Sequence, residues 1–185
     1  MVISVIGDVD KRPFIYTLWK VCQYLGDTLL LTDDDHYAGF IEDKVEIEGC
    51  EAAGDYQNTF IVVTDLPLDD AGQAVGFGPD DYDFFILDNK IDSAGDVVLY
   101  ITNGEMTENE YDMLQYLNEE DYITINYGGG KKNVIKPSKK IEAMCDKIED
   151  EQSLMLVSET ITKRIFSIIS EEMNIPIKTL LKAVK

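Results

Sequence analysis

The first residues of this chain constrain its fold more than any other stretch. Residues 2–6, Val-Ile-Ser-Val-Ile, form an apolar run with little alternation, which is typical of a strand buried on both faces of a parallel sheet. Gly7 ends the run, Lys11 follows after four residues, and Pro13 suits the first turn of a helix. This order marks the place where a phosphate-binding loop stands in many α/β proteins.

Apolar strands and helices alternate along most of the remaining sequence. Helical spacing predicts a helix that starts at Pro13 and ends at Gly26. The other predicted strands are 28–32, 59–64, 82–88, 96–102 and 122–126, with a last short strand at 154–157. The other predicted helices are 107–118, with Thr107 and Glu110 as a capping box, 138–149, an amphipathic helix through 161–173 and a short helix from Pro176.

Two segments give weaker signals. Residues 37–58 suit irregular chain or a small hairpin, and four glycine and proline residues favour a flexible loop at 69–81. The whole pattern predicts one α/β domain over residues 1–185, a three-layer sandwich with a mainly parallel central sheet. Residues 131–185 form its basic-leaning C-terminal part with amphipathic helices.

The formal net charge of −20 is distributed unevenly. Residues 1–130 carry 5 Lys/Arg and 28 Asp/Glu, a net charge of −23, whereas residues 131–185 carry a net charge of +3. An acidic body repels nucleic acid and anionic membranes, so we expect no direct nucleic-acid partner. No apolar run reaches the ~20 residues that a membrane-spanning helix needs. The three cysteines have no CxxC spacing, and they suit reduced thiols in a cytoplasmic protein.

Polar clusters follow four of the predicted strands, at Gly7–Arg12, Asp33–Asp35, Asp88 and Asn126. In parallel sheets ligands bind beyond the carboxyl ends of the strands, so these clusters define one candidate site. Their order and spacing over residues 1–130 resemble the ParA/MinD family of deviant Walker-A, P-loop ATPases. The resemblance implies a nucleotide-site position for each of nine residues: Gly7, Asp8, Asp10, Lys11, Arg12, Asp33, Asp35, Asp88 and Asn126.

The first loop departs from the family's pattern, Lys-Gly-Gly-x-Gly-Lys-Thr/Ser. Only Gly7 remains of three glycines, Ile6 replaces the first lysine, and Arg12 replaces the hydroxyl residue that binds Mg²⁺. Asp8 and Asp10 place carboxylates beside the expected phosphates, and each repulsion costs on the order of 1–4 kcal/mol at ~4 Å. We therefore expect the nine positions to be vestigial, with no catalytic residue, no metal and no cofactor. Binding of ATP with Mg²⁺ is the alternative that stays open.

Each cluster also has a structural interpretation. Residues 8–12 suit an ion-paired turn that caps the helix, and Asp33–Asp35 suit a charged strand end, with Mg²⁺ or Ca²⁺ binding as the alternative. His36, the single histidine, has no catalytic partner in the sequence. Gly128–Gly130 with the lysines after it suit a flexible turn, with an anion site as the alternative.

These patterns predict a non-catalytic, ParA/MinD-like pseudo-ATPase that acts as a cytoplasmic protein-interaction or scaffold module. By resemblance, its setting is a bacterial, plasmid or phage assembly for pilus formation, secretion, conjugation or partitioning. Its partner is a protein, and the chain itself is a monomer or a nucleotide-independent dimer. Two alternatives stay open: a divergent but active nucleotide-dependent switch, and an acidic, DNA-mimic-like inhibitor of a basic protein.

Overall fold

The predicted, mainly parallel sheet is present and forms the centre of the molecule. A computed structural model describes residues 1–91 and 96–182. Within these residues the strands are β1 Val2–Ile6, β2 Thr28–Thr32, β3 Asp43–Val45, β4 Ala52–Tyr56, β5 Thr59–Val63, β6 Phe84–Asp88, β7 Val97–Thr102 and β8 Ile123–Asn126. The helices are α1 Arg12–Leu25, a 3₁₀ helix Asp35–Phe40, α2 Leu68–Val75, α3 Glu108–Leu114, α4 Lys139–Glu151, α5 Glu159–Glu172 and α6 Ile177–Leu180.

The strands lie in the order β3-β4-β5-β2-β6-β1-β7-β8. The six strands from β5 to β8 in this order are parallel, and β3 and β4 add an antiparallel edge. The β1–α1–β2 connection is a parallel crossover, as predicted, but β6 lies between its two strands. The ends of β1, β2 and β6 are therefore neighbours, which brings the loop after β1 next to the ends of β2 and β6.

The two faces of the sheet differ in how many layers of helices cover them. Ile3 and Val5 point from β1 into the main core, where α1 packs between the sheet and the helices α4 and α5. This double coverage explains why ten residues of α1 are buried. Among the described residues, the helices on the opposite face are α2 and α3, which lie over two smaller apolar clusters. The C-terminal helices therefore share the main core with the parallel sheet.

Two sequence predictions are wrong. Much of the loop predicted at 69–81 is α2, because Leu68, Ala71 and Val75 form an apolar stripe against the sheet. Gly76 ends that helix in the left-handed region with φ of 87°. The strand predicted at 154–157 is an unpaired connection between α4 and α5, in which Leu154 and Val157 are buried. A short apolar segment in a sequence predicts that its residues are buried, but it does not show whether they pair with another strand.

None of the helices in residues 1–91 and 96–182 has the length and apolar character needed to cross a membrane. The weak 37–58 segment contains most of the 3₁₀ helix and the β3–β4 hairpin, so of the two alternatives predicted there, irregular chain or a small hairpin, the structure shows the hairpin.

Candidate functional site

The loop between β1 and α1 follows the carboxyl end of β1, an interior strand of the sheet that has β6 and β7 as its neighbours. Gly7 has φ of +151°, and a Cβ atom there would lie 2.2 Å from the carbonyl oxygen of Ile101 in β7. Any other residue at this position would need the loop to move away from β7. The one glycine that remains in the loop therefore has a structural reason to be there.

Lys11 is held by protein groups on two sides. Its Nζ donates a hydrogen bond to the carbonyl oxygen of Gly7 at 2.7 Å and lies 3.3 Å from Oδ1 of Asp88. Asp88 is only 2% exposed, and its Oδ2 accepts a hydrogen bond of 3.0 Å from the hydroxyl of Thr32. Burial raises the pKa of Asp88, although the positive charge of Lys11 and the hydrogen bond from Thr32 oppose the shift. The retained lysine thus neutralises a buried carboxylate at the end of β6.

The first two backbone amides of the loop also have protein partners. The N–H of Gly7 donates to Oδ1 of Asn89 at 3.3 Å, and the N–H of Asp8 donates to Oε1 of Glu110 at 2.9 Å. The carboxylate of Asp8 accepts a hydrogen bond from the hydroxyl of Thr107. In a phosphate-binding loop these amides would face an anion from solution. Here the anion beside Asp8 is a side chain of the same protein.

Glu110 is a buried carboxylate with three hydrogen-bond donors. It is 1% exposed and accepts from the N–H of Asp8, from the N–H of Thr107 at 2.8 Å and from the hydroxyl of Tyr100 at 3.1 Å. The capping box predicted for α3 is confirmed. The additional hydrogen bond from the Asp8 amide to Glu110 was not predicted, because a capping pattern does not reveal which other element contacts the glutamate.

Asp10 and Arg12 form the ion-paired turn predicted for this loop. Nε and Nη2 of Arg12 donate to the two carboxylate oxygens of Asp10 at 3.0 and 3.1 Å, and Nη1 donates to Glu149 of α4 at 3.0 Å. The hydroxyl of Tyr16 donates to the same oxygen of Glu149 at 2.7 Å. Burial first, and then the hydrogen bond to Glu149 and the charge of Glu149, raise the pKa of Tyr16. Arg12 therefore links the start of α1 to α4 through its hydrogen bond to Glu149.

The acidic cluster after β2 lies at the surface. Asp34 accepts a hydrogen bond from the N–H of His36 at 3.0 Å, and its Oδ1 lies 2.6 Å from Nδ1 of His36. This contact with Asp34 raises the pKa of His36. Among the described residues, Asp34, Asp35 and His36 each offer a ligand atom within 4.8 Å of one another, but Asp35 and His36 are exposed. Asp33 is exposed, and its charge raises the pKa of Asp88.

Asn126 holds the glycine-rich segment after β8. Its Nδ2 donates to the carbonyl oxygen of Lys132 at 2.9 Å, and Gly130 packs against its side chain with φ of +100°. A Cβ atom at Gly129 would lie 1.5 Å from the carbonyl oxygen of Asn103. The segment predicted as a flexible turn is therefore tightly packed against the loop after β7.

The structure brings Gly7, Asp8, Lys11 and Asp88 together, as the sequence predicts, whereas the carboxylate of Asp10 is directed to Arg12. Sequence reasoning missed Thr32, Asn89, Glu110 and Glu149 as partners of these residues. A polyphosphate at this loop would face Asp8 and would have to displace Glu110 and Asp88 from groups that already bind them. The residues present therefore do not fit a nucleotide phosphate group.

No protein-family model matches this sequence, and no curated protein matches it significantly. Solved structures with the same architecture do match. The MinD cell division protein of Aquifex aeolicus superposes with a TM-score of 0.61 at 13% identity, over 95% of this chain and 98% of MinD. The MinC:MinD cell division protein complex of the same organism gives a TM-score of 0.59 at 11% identity, over 95% and 96% of the two chains. The chain therefore has the same fold as MinD, which confirms the fold predicted from the order of its motifs.

Proposed function

We propose that this chain is a nucleotide-independent pseudo-ATPase that works as a protein-interaction module. The observation that carries the proposal is the hydrogen bond from the Asp8 amide to Glu110, together with the ion pair between Lys11 and Asp88. The protein's own carboxylates thus engage an amide and the cation that would recognise a phosphate.

Electrostatics support the loss of nucleotide binding. A triphosphate carries several negative charges, and at ~4 Å the carboxylate of Asp8 would repel one of them by on the order of 1–4 kcal/mol, whereas Asp10 is paired with Arg12. Displacing Asp88 from Lys11 would also leave a buried carboxylate without its cation, which is strongly unfavourable. Binding would have to overcome both costs at once.

A protein partner suits this interpretation. One of the structures with the same fold contains MinD in complex with MinC, so the fold binds a protein in that case. We infer a comparable role here, in a bacterial, plasmid or phage assembly such as a pilus, a secretion or conjugation apparatus, or a partition complex. The chain then works as a monomer or as a dimer that forms without nucleotide.

Isothermal titration calorimetry with Mg·ATP and Mg·ADP tests the proposal. We expect no binding heat for wild type at micromolar nucleotide, and none for Lys11→Ala. Micromolar binding by wild type that is lost in Lys11→Ala would refute the proposal, since it would show that Lys11 binds a phosphate. A folded circular dichroism spectrum of both proteins is the control.

The second candidate is a divergent, active switch, and the retention of both Lys11 and Asp88 favours it. In that case nucleotide would draw Lys11 away from Asp88 and couple binding to a change of the loop. ATP-dependent dimerisation, measured by multi-angle light scattering, would support the switch and contradict the pseudo-ATPase.

A further inference from the structure

A groove of about 840 Å³ lies between α4, α5 and the segment 134–138, away from the loop after β1. Ile141 of α4 and Phe166 of α5 are among the buried apolar residues that line it. Met144 is half-buried, and Leu181, after α6, is 48% exposed at its edge. The groove therefore presents apolar side chains that no described part of the chain covers completely.

The charge of the groove is opposite to that of the protein. Three lysines line it, Lys136, Lys140 and Lys163, against a single acidic residue, Glu159. Lys163 lies 2.6 Å from Glu159 in an ion pair, whereas Lys136 and Lys140 have no acidic partner among the described residues. A basic, partly apolar concavity on a chain of net charge −20 favours an acidic ligand with apolar side chains.

One wall of the groove is the extended segment around Ile135. Ile135 forms an isolated parallel bridge with Tyr127, directly after β8, since its N–H donates to the carbonyl oxygen of Asn126 at 2.8 Å and its carbonyl oxygen accepts from the N–H of Gly128 at 2.9 Å. In this parallel pairing the N–H and C=O groups of Val134 and Lys136 point away from β8. Within residues 1–91 and 96–182 these groups form no backbone hydrogen bond. Such an edge pairs readily with another extended chain.

We propose that this groove binds an extended, acidic segment of a partner protein. The backbone of the segment pairs with Val134 and Lys136, its apolar side chains contact the groove, and its carboxylates contact Lys136 and Lys140. The inference rests on the proposed role as an interaction module and identifies the chemistry of the partner. The two proposals fail separately, because nucleotide binding at Lys11 would contradict the first and leave the groove's preference for acidic peptides to be measured.

Selection from a displayed library of random twelve-residue peptides tests the proposal on the full chain. We expect enrichment of sequences that combine Asp or Glu with apolar residues. The enriched peptide, measured by fluorescence anisotropy, should bind Lys136→Glu/Lys140→Glu at least about tenfold more weakly than wild type. The matched control is Lys131→Glu/Lys132→Glu, which makes the same change in net charge with lysines that do not line the groove and should bind within about twofold of wild type.

Enriched peptides without acidic residues would overturn the proposal, as would equal binding to both double variants. An oligomer of wild type that only the groove variant abolishes would identify a second copy as the occupant. Groove-dependent sedimentation with phosphatidylglycerol vesicles, without peptide enrichment, would identify a lipid surface. Each of the last two results would also overturn the proposal.

Discussion

Replacing Lys11 by methionine should destabilise the folded protein, because it leaves the carboxylate of Asp88 buried without a cation. The side chain of Lys11 is 10% exposed and that of Asp88 is 4% exposed, so water replaces little of the lost interaction. Methionine retains most of the length of the lysine stem, so the change removes the charge with little loss of packing.

The magnitude follows from the 3.3 Å separation between Nζ and Oδ1. At an effective dielectric constant of about 20 the Coulomb energy at this distance is roughly 5 kcal/mol. Removing one partner of a buried ion pair typically costs about 3–5 kcal/mol. The hydroxyl of Thr32 still donates to Asp88, so we expect the free energy of unfolding to fall by about 3 kcal/mol.

Urea denaturation at pH 7, followed by circular dichroism, measures this loss in a double-mutant cycle. Lys11→Met with Asp88→Asn should recover most of the stability lost by Lys11→Met alone, because no buried charge is left unpaired. A loss below about 1 kcal/mol for Lys11→Met, or no recovery in the double variant, would contradict a structural role for the ion pair.

The pH dependence of this loss has a defined sign. Burial raises the pKa of Asp88 above its ordinary value, and removal of Lys11 should raise it further. The destabilisation of Lys11→Met is therefore largest at pH values above the raised pKa of Asp88 and should shrink as the pH falls through that pKa, since protonation removes the buried charge. The double variant lacks this carboxylate, so its stability relative to wild type should not recover in the same way.

Three further predictions follow from the same region. Gly7→Ala should lower the free energy of unfolding by about 2–4 kcal/mol in urea denaturation, because its Cβ would collide with the backbone of Ile101; an unchanged midpoint would contradict the assigned packing. Glu110→Ala removes the acceptor of three hydrogen bonds and should cost about 3 kcal/mol by the same measurement, whereas Glu110→Gln should cost less because it keeps an acceptor oxygen. The pKa of His36, measured by NMR, should lie above 6.5 and should fall in Asp34→Asn; equal values in both proteins would show that the contact with Asp34 is absent in solution.

Most of the architecture could be predicted because it depends on local and periodic patterns. Apolar runs such as 2–6 and 59–64 identify strands that are buried on both faces, and the spacing of Thr107 and Glu110 identifies the start of α3. Prediction failed at α2 and at 154–157, where the deciding factor was packing. The glycines of residues 69–81 suggest a loop, yet Gly72 lies inside the helix at a position where a Cβ atom would be 3.0 Å from the carbonyl oxygen of Phe77.

The sequence by itself determined the location of the candidate site, because a strand, Gly7, Lys11 and a helix must follow one another in this order around a central turn. It also determined that carboxylates stand where glycines would admit a phosphate. Only the tertiary structure decided which groups bind Lys11 and the amide of Asp8. Their partners, Asp88 and Glu110, lie 77 and 102 residues further along the chain. Sequence patterns are local and do not report such contacts, because only the packing of parallel strands brings such distant carboxylates to one end of the sheet.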